Sequence, residues 1–258
     1  MEYVIGVDLG TSGTKTVLFT SDGTPVASKT IEYPLYQPQN GWAEQEPKDW
    51  WNAACVSMKT VISQSGVNPK DIKGIGISGQ MHGLVMLDKS GNVLRRSIIW
   101  CDQRTARECE EITNKVGAAR LIELTANPAL TGFTASKILW VRNHEPEVYE
   151  KCAHILLPKD YVRYMLTGEF ATEVSDASGM QLLDVPNRSG LTKSFQSWVL
   201  IKAFLVRFMS HLKLQVLLLL RLQNFVVFLQ ELLLSVVPVT MRLRLSEPVQ
   251  YRTVLHRG

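Results

Sequence analysis

The amino-acid sequence predicts an α/β layered domain for residues 1–189. Short apolar, β-branched segments come first, and Gly, Ser, Thr or Pro residues separate them, as expected of strands joined by turns. A helix is predicted at 47–64, where Pro47 suits the first helical turn. Strands with helices around them are typical of a helix-covered sheet. The first strands are predicted at 3–8, 15–20 and 25–34.

Strands and helices continue along the rest of this region. Residues 74–77 and 84–87 are small or apolar and predict two short strands. Ser90 and Gly91 predict the turn of a hairpin that ends at 98–100. Further helices are predicted at 102–115, 117–125, 134–144 and 158–166.

The turn between the first two strands, DLGTSGTK at 8–15, has the chemistry of a phosphate-binding loop. Gly10 and Gly13 allow positive φ, so backbone amides can converge on an anion. Asp8, at the end of the first strand, can hold Mg²⁺ directly or through water. Lys15 adds a cation, and the hydroxyl donors of the loop are Thr11, Ser12 and Thr14.

This loop differs from two common nucleotide-binding loops. It lacks the Walker A spacing, and a strand follows it where a Rossmann loop is followed by a helix. By itself, its composition is equally typical of an ordinary hairpin turn. The loop predicts phosphate binding only if further motifs support it.

Further motifs do support it, and with them the chain resembles the FGGY family of carbohydrate kinases, in particular its xylulokinases. The resemblance spans residues 1–189. The Met-His pair at 81–82 separates the xylulokinases from the related glycerol kinases, which carry Arg-Glu there. The motifs, in family order, are GWAEQ at 41–45 before a Trp-Trp pair at 50–51, GQMHG at 79–83, WCDQR at 100–104, GFTASKILW at 132–140, LPKDY at 157–161 and SDASG at 175–179.

The resemblance implies an actin-like ATPase (ribonuclease H-like) α/β fold, of which this chain holds an incomplete N-terminal domain. It implies that the intact parent uses ATP and Mg²⁺ to phosphorylate D-xylulose to D-xylulose 5-phosphate. Kinases for ribulose, gluconate or glycerol are the alternatives. Asp8 is the expected catalytic, metal-binding residue. The residues expected at the phosphates are Gly10, Thr11, Ser12, Gly13, Thr14 and Lys15, and those expected at the sugar are Met81, His82, Trp100 and Asp102.

The residues expected at the sugar also have structural interpretations. His82 follows a buried strand, where concave sites gather, which favours a substrate role over an ordinary loop role. Met81 and Trp100 could instead pack in the core, although an aromatic face can also stack on a sugar. Asp102 could form a surface ion pair with Arg104 at a helix start.

The composition changes after residue 189. Residues 190–258 carry nine Lys or Arg against two Glu and no Asp, whereas residues 1–189 carry 19 basic against 22 acidic residues. Leucine dominates the tail, but Lys213, Arg221 and Glu231 interrupt it. A spanning helix of about 20 apolar residues is therefore not expected. An amphipathic helix at a membrane surface is the alternative.

The genetic code indicates that this tail is a reading-frame error. When each codon is read from its third base into the next, 197–201 permits Leu-Gly-Ile-Asp-Lys. In the same frame, 237–248 permits Ala-Gly-Asp-Asn-Ala-Ala-Ala-Ala-Val-Gly-Thr-Gly. Together with phrases at 190–193 and 208–211, these resemble, in order, the xylulokinase sequence expected after Ser189. Four such phrases in one frame are hard to obtain by chance.

In this interpretation the printed sequence lacks the catalytic base. The Gly-Asp-Asn phrase resembles the family's site for an Asp that accepts the proton of the attacking hydroxyl. Its codon would straddle Val239 and Thr240, so neither residue can do that work. The resemblance also implies a second actin-like domain, which is expected to be missing. We therefore expect an inactive chain; a non-catalytic sugar-binding remnant is the alternative.

Other features bear on the cellular context. Met1 leads directly into a strand, so no signal peptide is expected, and the four cysteines lack Cys-x-x-Cys spacing. We predict a cytoplasmic protein with reduced thiols, whose partners are the sugar and ATP, with no nucleic-acid or membrane partner. A homodimer of the intact parent and a membrane-associated protein anchored by the tail stay open as alternatives.

Limited proteolysis tests the boundary at residue 189. The apolar pattern of residues 190–258 was not selected to fit a core, and unmatched apolar surface stays accessible. We expect a resistant core that ends close to Ser189, identified by mass spectrometry. If the tail is protected as fully as the first strand, it is an evolved element and the frame-error interpretation is wrong.

Overall fold

The computed structural model describes residues 1–191 and 207–209. Its strands are β1 (Tyr3–Leu9), β2 (Gly13–Thr20), β3 (Pro25–Glu32), β4 (Glu44–Gln45), β5 (Ile72–Gly79), β6 (Val85–Leu87), β7 (Ser97–Ile98), β8 (His154–Leu156), β9 (Ala171–Glu173), β10 (Leu183–Asp184), β11 (Ser189–Gly190) and β12 (Arg207–Met209). Its α-helices are α1 (Pro47–Ser65), α2 (Ala106–Val116), α3 (Ala118–Thr125), α4 (Thr134–His144), α5 (Pro146–Lys151), α6 (Pro158–Thr167) and α7 (Val174–Ala177).

A four-stranded sheet in the order β3-β2-β1-β5 organises the first part of the chain. β1 runs antiparallel to β2 and parallel to β5. Leu9, at the end of β1, lies opposite Thr14 on one side and Gly79 on the other. Side chains alternate across a strand, and the inward-facing Ile5, Val7 and Leu9 are buried.

Helix α1 covers the inner face of this sheet. Trp50 and Met58 are completely buried in the same apolar cluster as the inward residues of β1. A buried hydrogen bond of 2.6 Å joins Ser57 Oγ of α1 to Thr16 Oγ1 of β2. Pro47 lies in the first turn, as predicted, and Gly66 ends the helix at φ = 67°.

A second apolar cluster lies among helices α2 to α5, and the antiparallel pair β6–β8 joins it to the first. Met86 and its partner Ile155 belong to the second cluster, while Val85, Leu87 and Leu156 belong to the first. Because successive side chains of a strand point to opposite faces, this short pair of strands contributes residues to both cores.

Two predicted elements differ in the structure. The helix predicted at 102–115 begins at Ala106, because the Asp102 side chain accepts the Arg104 N–H and holds a turn there. The hairpin predicted across Ser90 is reduced to two isolated bridges, since β6 pairs with β8 and β7 pairs with β4. Sequence reasoning also missed α5, β8 and β9, which have at most six residues each.

The strand β12 falls inside the segment predicted to be frame-shifted. It pairs in parallel with β9, with Arg207 opposite Ala171. Such pairing uses main-chain groups and does not depend on side-chain identity. The rest of the predicted tail from residue 192 onward lies outside the described residues, and the boundary at 189 stays a prediction. Within residues 1–191 and 207–209, no helix has the length and hydropathy needed to cross a bilayer.

Candidate active site at the ends of two parallel strands

The loops that follow β1 and β5 lie side by side. The two strands are parallel neighbours, so their carboxyl ends reach the same edge of the sheet. Gln80 N–H donates to Leu9 O at 2.8 Å, which ties the second loop to the first. Ligand sites in open α/β sheets commonly lie at such carboxyl ends.

The loop after β1 is closed tightly on itself and on β3. Gly10 N–H donates to Gly13 O at 3.0 Å across the turn. A Cβ at Gly13 would lie 2.7 Å from Ile31 O, closer than real Cβ contacts come, and 3.1 Å from Glu32 Cα, which is tighter than most of them. The absence of a side chain at Gly13 is therefore needed for β3 to pack beside the loop.

Side chains from three other segments hold this loop by its carbonyl oxygens. Tyr33 Oη donates to Gly10 O, and Gln45 Nε2 donates to Thr11 O at 2.6 Å. Gln80 Nε2 donates to Gln45 Oε1 at 2.8 Å, so the loop after β5 supports the same clamp. None of these bonds uses an amide N–H of the loop, so the clamp leaves donors for an anion.

Polar side chains of the loop face in two directions. Asp8 and Lys15 are directly opposed across β1 and β2, and both are exposed. Opposed residues of an antiparallel pair project from the same face, so this carboxylate and ammonium share the solvent side. Thr14 is completely buried beside Tyr33, whose pKa burial raises to about 12. Any contact from Thr14 to a phosphate would therefore come from its main chain.

Trp100 stands beside the loop and outside the core. It is 47% exposed, and its Nε1 donates to Thr11 Oγ1 at 3.0 Å. Gly132 packs closely against the main chain of Trp100, since a Cβ on Gly132 would lie 2.9 Å from Trp100 O. The core interpretation of Trp100 is wrong, and its exposed indole is available for stacking on a ligand.

His82 occupies a tight turn after β5. Gly83 N–H donates to Met81 O at 2.9 Å, and His82, between them, has φ = 68°. Positive φ is the rare, strained form of a three-residue turn. The imidazole Nδ1 lies 3.0 Å from Gly179 O, and the ring stacks on Phe133 with centroids 4.7 Å apart. Met81 and His82 are both half-buried at this edge.

A buried lysine supports the same turn. Lys137 of α4 is completely buried and donates from Nζ to His82 O at 2.9 Å and to Gly132 O at 2.6 Å. Burial lowers the pKa of Lys137 to about 7, while the Asp102 carboxylate opposes that shift. Burial also lowers the pKa of His82, and the Lys137 charge acts in the same direction.

Contrary to the prediction, Asp102 does not face the candidate site. Its Oδ2 accepts Ala43 N–H at 2.6 Å, and Arg104 Nε donates to both carboxylate oxygens at 3.0 Å. Asp102 is completely buried, and the Arg104 side chain is 1% exposed. The expectation of a sugar contact and the alternative of a surface ion pair are both corrected: this carboxylate is enclosed and holds the GWAEQ segment.

The ion pair extends into a wider buried network. Glu44 accepts from Arg104 at 2.8 Å and from Arg95 at 2.6 Å. The Arg104 guanidinium lies 3.7 Å from the centroid of the Trp42 ring. These contacts fix the chain just before Gln45, which explains how that side chain reaches the loop after β1. A guanidinium of fixed planar shape suits such paired and stacked contacts.

Several residues that were not among the predicted site residues support these loops. Tyr33, Gln45 and Lys137 each donate to a loop carbonyl from a position more than four residues away. Gln45 and Lys137 lie within the GWAEQ and GFTASKILW motifs, and that position indicated a role at the site. Tyr33 lies in no motif. Within the described residues, no three His, Cys, Asp or Glu side chains cluster as a metal site.

Comparison with known proteins finds a matching family model and similar sequences. Residues 3–197 match the model of the N-terminal domain of the FGGY family of carbohydrate kinases. The match ends slightly beyond the predicted boundary at 189. Xylulose kinase from Bacillus subtilis is 48% identical over 188 residues, which cover 73% of this chain and 38% of that protein. This chain therefore spans well under half of the curated relative.

Solved structures agree with the sequence match. Xylulose kinase from Rhodospirillum rubrum is 28% identical with a TM-score of 0.75, over 80% of this chain and 42% of that one. Gluconate kinase from Lactobacillus acidophilus is 28% identical with a TM-score of 0.74, over 81% and 42% of the two chains. The predicted actin-like α/β fold of an N-terminal domain is confirmed.

The packing around the loop after β1 can be tested with Gly13→Ala. The added Cβ must push main-chain atoms of β3 away, so we expect a loss of about 1–3 kcal/mol in the free energy of unfolding. Gly76→Ala is the matched control, since a Cβ there meets nothing within 4 Å. Urea unfolding measures both variants. Equal stability of the two would contradict the close packing described for Gly13.

Proposed function

Because this chain belongs to the FGGY family of carbohydrate kinases, we propose that residues 1–189 supply the phosphate-binding and sugar-binding loops of a kinase for D-xylulose. The observation that carries the proposal is the junction of the loops after β1 and β5. Gln80 bonds to Leu9 O and to Gln45, which itself clamps Thr11 O. The γ-phosphoryl group of ATP and the sugar hydroxyl that accepts it must lie close together. Adjacent loops for phosphate and for sugar would meet this requirement.

On the phosphate side, the loop after β1 would bind the phosphates of ATP. Main-chain amides from Thr11 to Gly13 and the hydroxyls of Thr11 and Ser12 would be the donors, since the Gly10 amide already donates to Gly13 O, and Lys15 supplies positive charge nearby. Phosphoryl transfer depends mainly on such positioning and charge neutralisation. The clamp by Gln45 would pre-form this loop, so little order has to be gained when ATP binds.

Asp8 fits a role as a Mg²⁺ ligand. Its carboxylate is exposed at the end of β1, on the same side as Lys15. Mg²⁺ is usually bound by one or two carboxylates together with substrate phosphates and water, so a single Asp here suffices without a dedicated cluster. The metal would neutralise charge on the transferred group.

On the sugar side, Met81, His82 and Trp100 would receive the ketose. His82 would hydrogen-bond a sugar hydroxyl, and the exposed face of Trp100 would stack on C–H surfaces. The hydroxyl that is phosphorylated attacks the γ-phosphorus, the bond to the ADP oxygen breaks, and a base takes the hydroxyl proton. The shifted reading of 237–248 permits an Asp for that base, whereas Val239 and Thr240 cannot act as one.

Two alternatives keep specific support. The likeness to the gluconate kinase structure equals that to one xylulose kinase structure in identity, so another sugar is an alternative substrate. The Met81-His82 pair is the feature that favours D-xylulose. The absence of a carboxylate at 239–240 favours a sugar-binding remnant without turnover.

The 258-residue chain should show no measurable ATP-dependent phosphorylation of D-xylulose. Loss of a general base alone typically costs about 10²–10⁴-fold in rate. A coupled assay for ADP, with sugar-free samples as the control for background ATPase, measures this. Turnover at about 1–100 s⁻¹, the usual range of kinases, would disprove the proposed loss of the base.

The assigned roles can be separated in a frame-restored, full-length protein. His82→Ala should lower kcat/KM for D-xylulose about ten- to a hundred-fold with little change in the KM for ATP, because a lost buried hydrogen bond costs about 1–3 kcal/mol. Asp8→Ala should instead cripple turnover while sugar binding is mostly kept. If His82→Ala leaves the sugar kinetics unchanged, His82 is structural and the assignment fails.

A further inference from the structure

We propose that Gly179 holds His82 as its Nδ1–H tautomer while Lys137 holds the main chain of His82, so that Nε2 is presented as a hydrogen-bond acceptor for a hydroxyl of the sugar. The sugar contact rests on the proposed function, whereas the tautomer and its supports are properties of this chain alone. Gly179 and Lys137 are positioning residues, because both act on His82 and neither is placed at the ligand.

The Gly179 carbonyl decides which ring nitrogen carries the proton. A carbonyl oxygen can only accept, and it lies 3.0 Å from His82 Nδ1, so Nδ1 is the donor. A neutral imidazole has one donor and one acceptor nitrogen, so Nε2 is then the acceptor. Burial favours the neutral ring, which agrees with the lowered pKa of His82.

Packing keeps the ring edge against this carbonyl. Phe133 stacks on one face of the imidazole at an interplanar angle of 30°. A Cβ at Gly179 would lie 2.2 Å from His82 Cε1 and 2.4 Å from its Nδ1, so a residue with a side chain would displace the ring. Glycine at this position is therefore part of how the tautomer is fixed.

The main chain of His82 is held by two donors from the start of α4. Thr134 Oγ1 donates to His82 O at 3.1 Å, and Lys137 Nζ donates to the same oxygen at 2.9 Å. Strained backbone conformations persist only where their surroundings over-determine them, and these two bonds act directly on the residue at φ = 68°. The lysine amine donates whether charged or neutral, so this support survives a change in its protonation.

The acceptor at Nε2 implies a definite preference. A ligand that offers a hydroxyl to Nε2 satisfies it, and an analogue without that hydroxyl leaves a half-buried acceptor unpaired. Sites built to hydrogen-bond a substrate hydroxyl reject analogues that lack it far more strongly than apolar pockets reject a small change in size.

Nitrogen-15 NMR of the histidine-labelled 258-residue chain tests the tautomer without any ligand. At a pH above the ordinary pKa of histidine, the signal assigned to His82 by its loss in His82→Gln should show a protonated Nδ1 and an unprotonated Nε2. Gly179→Ala should abolish that pattern and leave the fold intact, because the side-chain tip can swing away, whereas Gly76→Ala should preserve it. A protonated Nε2 in the unmodified chain would overturn the proposal.

Hydrogen exchange tests the part assigned to Lys137. In Lys137→Met, exchange of the Gly83 amide, which donates to Met81 O, should accelerate at least about ten-fold more than exchange of the Leu84 amide, which donates to Ile98 O. A selective effect shows that Lys137 holds the turn. Equal acceleration of both amides would mean that Lys137 contributes only to general stability, and no acceleration would mean that it does not support the turn. Either result overturns the role assigned to Lys137.

Addition of D-xylulose separates this inference from the proposed function. With the tautomer established, a shift of the His82 Nε2 resonance on titration supports the acceptor role. An unchanged Nε2 at saturating sugar, with the Nδ1–H tautomer still present, overturns the sugar contact while the tautomer stands. In the frame-restored protein, Gly179→Ala should raise the KM for D-xylulose about ten-fold or more and leave the KM for ATP unchanged.

Discussion

The parallel pairing of β1 with β5 is the constraint on which the rest of the candidate site depends. It brings Leu9 opposite Gly79, so the two loops that follow must leave the sheet at the same edge. One loop carries hydroxyls, glycines and a carboxylate, and the other carries Gln80, Met81 and His82. Without this pairing, nothing would bring together two loops whose first residues, Gly10 and Gln80, are 70 positions apart in sequence.

The loops themselves are shaped by polar contacts that converge on main-chain carbonyls. Gln45 and Tyr33 hold the loop after β1, while Lys137 and Thr134 hold the turn at His82. In each case the donor binds a main-chain oxygen of the loop and not one of its side chains. Buried polar networks of this kind give rigidity only when fully connected, so loss of one member is felt at a distance.

Local signals were sufficient for much of the fold. The β1–β2 hairpin and α1 follow from apolar periodicity, glycine and proline, and each forms at its predicted place. The short strand β8 could not be predicted, since three residues carry too little pattern and depend on pairing with β6. The helix predicted from residue 102 began late because a side chain, Asp102, competes for the first amides.

The site was predictable only to the level of loops. The motifs identified which loops matter, but they could not say that Thr14 points inward or that Asp102 is enclosed. Those outcomes depend on partners distant in sequence, such as Tyr33 and Ala43. Lys137 shows the same limit, because its contact with His82 O crosses 55 positions of sequence.

The central claim is that these loops form the phosphate and sugar halves of a kinase site specific for D-xylulose. The most direct test is the ratio of kcat/KM for D-xylulose to that for glycerol and for gluconate, measured on the frame-restored, full-length protein at saturating ATP. The account predicts that kcat/KM for D-xylulose is well above kcat/KM for glycerol and well above that for gluconate. A preference for glycerol or gluconate, or phosphorylation of none of the three, would contradict it.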